Sequence, residues 1–383
     1  MRTTFFEYDS LNRLIRTTRP QNNVTEYACD ALGNRVRVTD PRNNATQYCY
    51  DALNRNTVIT DANNQTTTIA YDALGRRTAQ TDALGHATTF TYDRADRQVS
   101  ATDALGNVTR YQYDGLGNRV QVTDAKNAAT RYEYDALNRL KAVIENYNPD
   151  GPYNDETNVW TEYEYDALGN RTRVVDARGS ATAYTYDTLN RLVTETDALD
   201  HTTTHAYDPV GRRTTLTDAN SQVTQYGYDA LDRLASIAYL TDGTSVQFTY
   251  DAVGNRTVMT DPVGTTRYTY DDLYRVTQVV DPFNQTVGYQ YDAAGSRTRL
   301  TYPDGKTANY AYNAVNALAS VQDWSGGTTT YAYDNANRLT SATRHAHQRH
   351  LCVKVARSCF RIRTRVRLQS LHHSRGVAPP RVA

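Results

Sequence analysis

The sequence predicts an all-β fold in which tandem units of 21 residues form a curved antiparallel sheet, either a spiral or an open hollow shell. Three observations carry that prediction. Tyr-Asp recurs at a near-constant spacing of 21 residues. Each unit holds two short segments in which Thr, Tyr and Val alternate with polar residues, the period of a half-buried strand. Between these segments lie short runs such as "DALGN" and "DAKNA", led by Asp and closed by Gly or Asn.

The unit is counted from its Tyr as position 0. The heads are Tyr8, Tyr50, Tyr71, Tyr92, Tyr113, Tyr134, Tyr165, Tyr186, Tyr207, Tyr228, Tyr250, Tyr270, Tyr291, Tyr312 and Tyr333, with Cys29 in the place of the second. Of the 15 intervals, 12 are 21 residues and the others are 31, 22 and 20. Asp follows every head except Tyr312, where Asn313 stands. A second aromatic recurs at position 19. Heads and position 19 together take 26 of the 31 tyrosines, so the repeat explains the tyrosines and no single one is marked as catalytic. Repeats of this period indicate stacked supersecondary units rather than independent domains.

Within one unit the elements follow in order. "TRYQYD" (Thr109 to Asp114) alternates: Thr109, Tyr111 and Tyr113 point one way, Arg110 and Gln112 the other. It is a strand ending at the head. "DGLGN" is a turn, because an Asp carboxylate accepts the backbone N–H two residues on and Gly or Asn tolerates positive φ. "RVQVT" (Arg119 to Thr123) is the second strand and "DAKNA" the second turn. The Leu near position 3 is expected to pack beside the head. Rings of successive heads, such as Tyr92, Tyr113 and Tyr134, are expected to stack as a ladder with Leu116 and Leu137 beside them. The many Asp are read as turn formers rather than metal ligands.

Leu, Ile, Val and Phe number only 67 of 383 residues. Such poverty of aliphatics accompanies disorder when net charge is high, but here the formal net charge is zero and the tyrosines are periodic. The composition therefore fits an ordered array with wet faces. A single 21-residue unit is too small to hold a core, so stability must come from its neighbours. Two strands in each of 16 units give roughly 32 strands and, at ~4.8 Å per strand, about 150 Å of sheet. Open sheets rarely pass ~10 strands without curling. A ring of that perimeter is roughly 50 Å across, too wide for side chains to fill.

Heads such as "YDALGNRTRVVDARGSATAYTYD" (Tyr165 to Asp187) resemble the Rhs/YD-repeat family, over about residues 1–343. The family includes bacterial polymorphic toxins, insecticidal toxin-complex subunits and the teneurins. The resemblance implies a β-strip wound into a shell that encloses a toxin domain, so a structural, encapsulating scaffold without catalysis of its own. Its implied partners are a toxin domain or the remainder of a shell. A carbohydrate- or cell-surface-binding module, with outward tyrosines stacking on sugars, is the alternative. The family closes its core with D-P-x-G followed by Leu. "DPVG" occurs at Asp208–Gly211 and Asp261–Gly264, inside the array, and reads there as a unit variant.

Four further readings complete the sequence. "NYNPDGPYNDETNVW" (Asn146 to Trp160) accounts for the long interval and is expected to be a surface loop. The chain opens in mid-unit, with "TTFFEYD" as a last strand, and has neither a signal peptide nor an apolar run long enough to span a membrane. The family is exported or cell-surface, and nothing in this chain specifies a location. From Arg344 on there are nine Arg, one Lys and no acidic residue, so this tail is +10 and the rest is −10. The tail (344–383) is expected not to continue the sheet in register. It reads as an out-of-frame segment, as a basic arm able to line a nucleic-acid backbone through "FRIRTRVRL", or as the start of a toxin domain. No catalytic, cofactor-binding or metal residues are assigned. Cys352 and Cys359 are seven apart and His372–His373 adjacent, which is not zinc spacing.

Overall fold

The computed structural model describes residues 3–154 and 156–345. Among these residues thirty-two strands, β1 (Phe5–Tyr8) to β32 (Leu339–His345), form one open antiparallel sheet. Each strand pairs with the one before it and the one after it in the chain. Among the described residues the helical content is a single 3-10 turn at Pro20–Asn22.

Each unit is two strands and two turns. The first turn spans positions 1 to 5. The residue at position 4 has positive φ in all sixteen units, whether it is Gly75 (84°), Asn54 (59°), Asp96 (62°) or Tyr274 (64°). This is why Gly or Asn recurs there. The unequal intervals are explained locally. The extra residues before Tyr165 form a loop between β14 (Leu140–Glu145) and β15 (Val159–Tyr165). It folds around Asn158, only 1% exposed, whose amide donates to the carbonyls of Asn148 and Gly151, each at 2.9 Å. The short interval before Tyr270 arises at the second "DPVG", where Asp261 pairs directly with Gly264 in a tighter hairpin.

Every pair of strands joined by a first turn carries a one-residue register shift beside the head. In the pair after Tyr113, Gln112 opposes Gln121 and Tyr113 opposes Arg119, so Val120 is the extra residue. A bulge bends its strand and increases the local twist. Repeated at the same place in every unit, it bends the strip the same way each time.

The strip comes back on itself. Arg42 donates from Nη1 to Asn316 Oδ1 (2.7 Å) and from Nη2 to the Tyr312 carbonyl (3.1 Å), 274 and 270 residues away. Asn337 donates to Asp61 (2.7 Å), Arg275 to Gln21 (3.2 Å), and Asn23 to the Ala293 carbonyl. Second turns of the first three units thus sit against first turns of the last four. The offset is thirteen units, with 25 strands between the turns that meet, in the Arg42–Asn316 and Asn337–Asp61 contacts. At ~4.8 Å per strand one revolution is roughly 120 Å, and its diameter roughly 40 Å. The sheet is a spiral with an interior too wide for side chains to fill.

Burial agrees. Only Ala142, Ile144, Val175 and Ala308 are buried apolar residues among those described. The expectation that Leu at position 3 packs beside the head is corrected: Leu116 is 77% and Leu137 68% exposed. Position 3 lies in the turn, beyond the end of the ladder, so its side chain has no strand beneath it. In the last four units the same position, at Leu273, Ala294, Val315 and Ala336, is half-buried, because the first units of the spiral lie against it.

The sheet also runs past the expected end of the array. Arg344 opposes Thr329 and His345 opposes Thr328, both in register. Backbone pairing needs no turn Asp, and Arg344 reaches the Asp323 carboxylate at 3.2 Å. The remaining tail, 346–383, lies outside the described residues.

Candidate functional site

The feature repeated most faithfully is the junction between one unit and the next. It is built from the head Tyr, the Asp at position 1 and the residue at position 5.

The Asp turns the chain with one carboxylate oxygen. Asp72 Oδ1 accepts the N–H groups of Leu74 (3.0 Å) and Arg76 (2.9 Å), and Oδ2 accepts Arg76 Nε at 2.7 Å. The bond two residues on is the one the sequence implies. The bond to the fourth residue, which closes the turn, has no separate sequence signal beyond the polar residue at position 5.

The head Tyr crosses to the unit before it. From Tyr50 to Tyr333 every head hydroxyl donates to a backbone carbonyl at the start of the preceding unit's second strand. Tyr92 reaches the Arg77 carbonyl at 2.7 Å and Tyr113 the Gln98 carbonyl at 2.8 Å. Tyr8 has no described unit before it and is 55% exposed. Burial holds the Tyr291 hydroxyl above the ordinary phenol value, which keeps it a donor.

The head rings do not stack on one another. Equal positions recur on every second strand, roughly 9.6 Å apart, whereas ring pairs interact at about 4.5–7 Å. An Arg guanidinium fills the space instead. At eight junctions the Arg at position 5 lies over the next head, with Cζ 4.6–4.9 Å from the ring centre. Arg76 shows the full set: its own Asp72, the ring of Tyr92 at 4.9 Å, the Asp93 carbonyl at 3.2 Å and Asp96 Oδ1 at 2.7 Å. A parallel row couples Arg at position 6 to the aromatic at position 19, as with Arg119 over Tyr111 and Tyr132 at 5.8 and 5.7 Å. Both rows were missed in the sequence, although the Arg period was visible there. The ring faces that a sugar would stack on are, at those eight heads, occupied by Arg.

The carboxylates at position 1 titrate accordingly. Asp51, Asp93 and Asp135 are held below the ordinary carboxylate value, first by the backbone N–H of the fourth residue on and then by its guanidinium, against the effect of desolvation. A depressed folded value favours the ionised form in the native state. Its stabilisation is present above the unfolded value of about 3.9 and is lost as pH falls through the lower folded values. The array is expected to keep its melting temperature from pH 7 to 5 and to lose it steeply below about pH 4. Circular dichroism melts across that range check this. A loss centred near pH 6 would exclude these carboxylates as the cause.

Among the described residues no three His, Cys, Asp or Glu side chains converge as metal ligands. No helix among them is long and apolar enough to cross a membrane. Two cavities, of about 670 and 540 Å³, lie between neighbouring first turns, at Asn34 and at Asn118.

Comparison with known proteins places this geometry. The RHS Repeat family model matches residues 8–45, 50–87, 71–108, 92–129, 165–202, 207–240, 228–266, 250–284, 270–307 and 312–346. No curated protein matches the chain. Among solved structures, a Tc holotoxin pore of Photorhabdus luminescens is similar over 91% of this chain and 22% of its own, at 18% identity and a TM-score of 0.69. A TcdB2-TccC3-Cdc42 structure is similar over 88% of this chain and 20% of its own, at 19% identity and a TM-score of 0.65. The chain therefore spans about a fifth of those solved chains, and at these identities the likeness is one of fold.

Proposed function

This chain belongs to the RHS repeat family, and we propose that it forms a section of the wall of a hollow β-shell that encloses another polypeptide. Its role as a structural shell scaffold follows from the repeats and from the Tc toxin structures it resembles. The enclosed partner, a toxin domain, is the finer reading. One observation carries it: the strip meets itself after thirteen units, so that the wall, roughly 40 Å across, surrounds a space roughly 30 Å wide. That space is wide enough to hold a polypeptide chain.

The edges of the strip extend the argument. Leu32, Leu53, Leu74 and Leu105 are between 68% and 88% exposed, in turns that line the edges of the sheet. Leu32, Leu53 and Leu74 occupy position 3, which the neighbouring revolution shields in the last four units. Such a row is a seam ready for a further revolution of wall. Electron microscopy of the chain tests the reading. Ring-shaped projections about 40 Å across at the wall, with a density-poor lumen of roughly 30 Å, are expected. An extended ribbon or a filled globule would overturn it.

A further inference from the structure

Position 5 departs from Arg in six units, at Asn34, Asn118, Asn170, Asn255, Ser296 and Ala317, and two cavities lie beside the first two of these. The cavity beside Asn34 is lined by Tyr50, Asp30 and Asp51, and the one beside Asn118 by Tyr134, Asp114 and Asp135. We infer that these two cavities are binding sites for the guanidinium group of an arginine side chain carried by a polypeptide.

The array itself shows what such a site holds. At eight junctions a guanidinium occupies this place and uses a fixed set of partners. At Asn34 the short amide takes over only part of that set. Its Nδ2 donates to Asp30 Oδ2 and to Asn54 Oδ1, each at 2.9 Å. Asn118 does the same with Asp114 (2.9 Å) and Asn138 (3.2 Å). The rings of Tyr50 and Tyr134 have no cation over them among the described contacts. The carbonyls of Asp51 and Asp135 accept only their turn N–H, from Asn54 and Asn138 at 3.0 Å. The carboxylates of Asp30 and Asp114 are bonded to amides and have no described ion pair, whereas Asp72 and Asp93 each face an Arg at 2.7 Å. Ring face, carbonyl and uncompensated carboxylate are the partners of a planar cation. Arg37 lines the first cavity and Arg131 the second, and Arg131 is already engaged by Tyr147 Oη at 2.8 Å and by Glu133. Residues 1–343 are net −10, so the surrounding field also attracts a cationic chain.

A lysine ammonium fits less well. It is a compact, strongly hydrated charge and cannot lie flat on the ring while also donating in plane to the carbonyl. The guanidinium has two sources: an outside polypeptide, or the Arg-rich stretch 360–368 of this chain.

The test is a titration of the full chain with the capped tripeptides Gly-Arg-Gly and Gly-Lys-Gly, followed by NMR of ring-labelled tyrosine. The Arg peptide is expected to saturate, to shift the Tyr50 and Tyr134 signals ahead of those of Tyr186 and Tyr270, which follow the Asn170 and Asn255 junctions that also lack Arg, and to bind at least five-fold more tightly than the Lys peptide. The double variant Asn34→Arg/Asn118→Arg provides its own guanidinium groups and should lose both shifts. Asn34→Ala/Asn118→Ala leaves the cavities open and should keep them, which covers the case in which the Arg variant fails to fold. Equal binding of the two peptides, or shifts spread evenly over the tyrosines, would mean attraction to an acidic surface and would overturn the inference. Replacing Arg361, Arg363, Arg365 and Arg367 by Lys separates the sources: tighter peptide binding identifies the chain's own stretch as a competitor, and unchanged binding identifies sites open to an outside chain.

Discussion

Replacing Tyr113 by alanine is expected to lower the stability of the array by about 3 kcal/mol, the scale of removing a large, partly buried aromatic. The ring is held on two sides. Arg97 Cζ lies 4.8 Å from its centre, and its hydroxyl donates to the Gln98 carbonyl at 2.8 Å. Both partners belong to the preceding unit, so the substitution cuts the junction rather than one unit. Tyr113→Phe keeps the ring and removes only the hydrogen bond, and is expected to cost about 1 kcal/mol. Leu116→Ala, three residues on, should change stability by less than about 0.5 kcal/mol, because that side chain projects into solvent. Urea unfolding of the three variants orders them. Hydrogen exchange should place the loss in the units headed by Tyr92 and Tyr113 and spare the unit headed by Tyr270, since repeat stability is set between neighbours. A Leu116→Ala loss equal to that of Tyr113→Ala would show that the turn leucine, not the ring, ties the units together.

Reversing one charge at the seam is expected to open the spiral without unfolding it. Arg42 lies against Asn316, the Tyr312 carbonyl and the Asp292 carboxylate, the last at 3.6 Å. In Arg42→Glu three attractive contacts become one repulsion and two unmatched acceptors. The ladder hydrogen bonds along the strip are untouched, so the far-ultraviolet circular dichroism should stay the same. The maximum dimension in small-angle scattering should rise by a third or more as the first and last units part. Arg42→Lys keeps the charge but loses the two-pronged geometry and should fall between. If Arg42→Glu leaves the scattering unchanged, strand curvature alone holds the spiral and the seam contacts are incidental.

The Tyr-Asp period, the alternation in "TRYQYD" and the Gly or Asn at position 4 determine the local structure, because each acts within a few residues. A φ near +60° at Asn54 or Asn138 is a property of that turn alone. Hence strands, turns and the antiparallel order along the strip were legible before any coordinates. Two expectations failed for one common reason. The stacking of Tyr92, Tyr113 and Tyr134 and the packing of Leu116 were inferred from which positions recur, but recurrence does not state what lies between them. Heads two strands apart leave a gap that an Arg guanidinium fills at eight junctions, and turn residues at the margin of a ladder have nothing beneath them.

The number of units per revolution lies further still from the sequence. It depends on the twist and bend added by each bulge, such as that at Val120, multiplied over thirteen units. A small change per unit moves the meeting point by a whole hairpin, so no local pattern encodes that Arg42 will find Asn316. The sequence by itself determined a curved strip of tyrosine-headed hairpins. Only the tertiary structure decided that the strip closes on itself around a lumen, and that cavities lie beside Asn34 and Asn118. The reason is physical: hydrogen bonds and turn angles are local quantities, whereas closure and cavities are sums of those quantities over the whole chain.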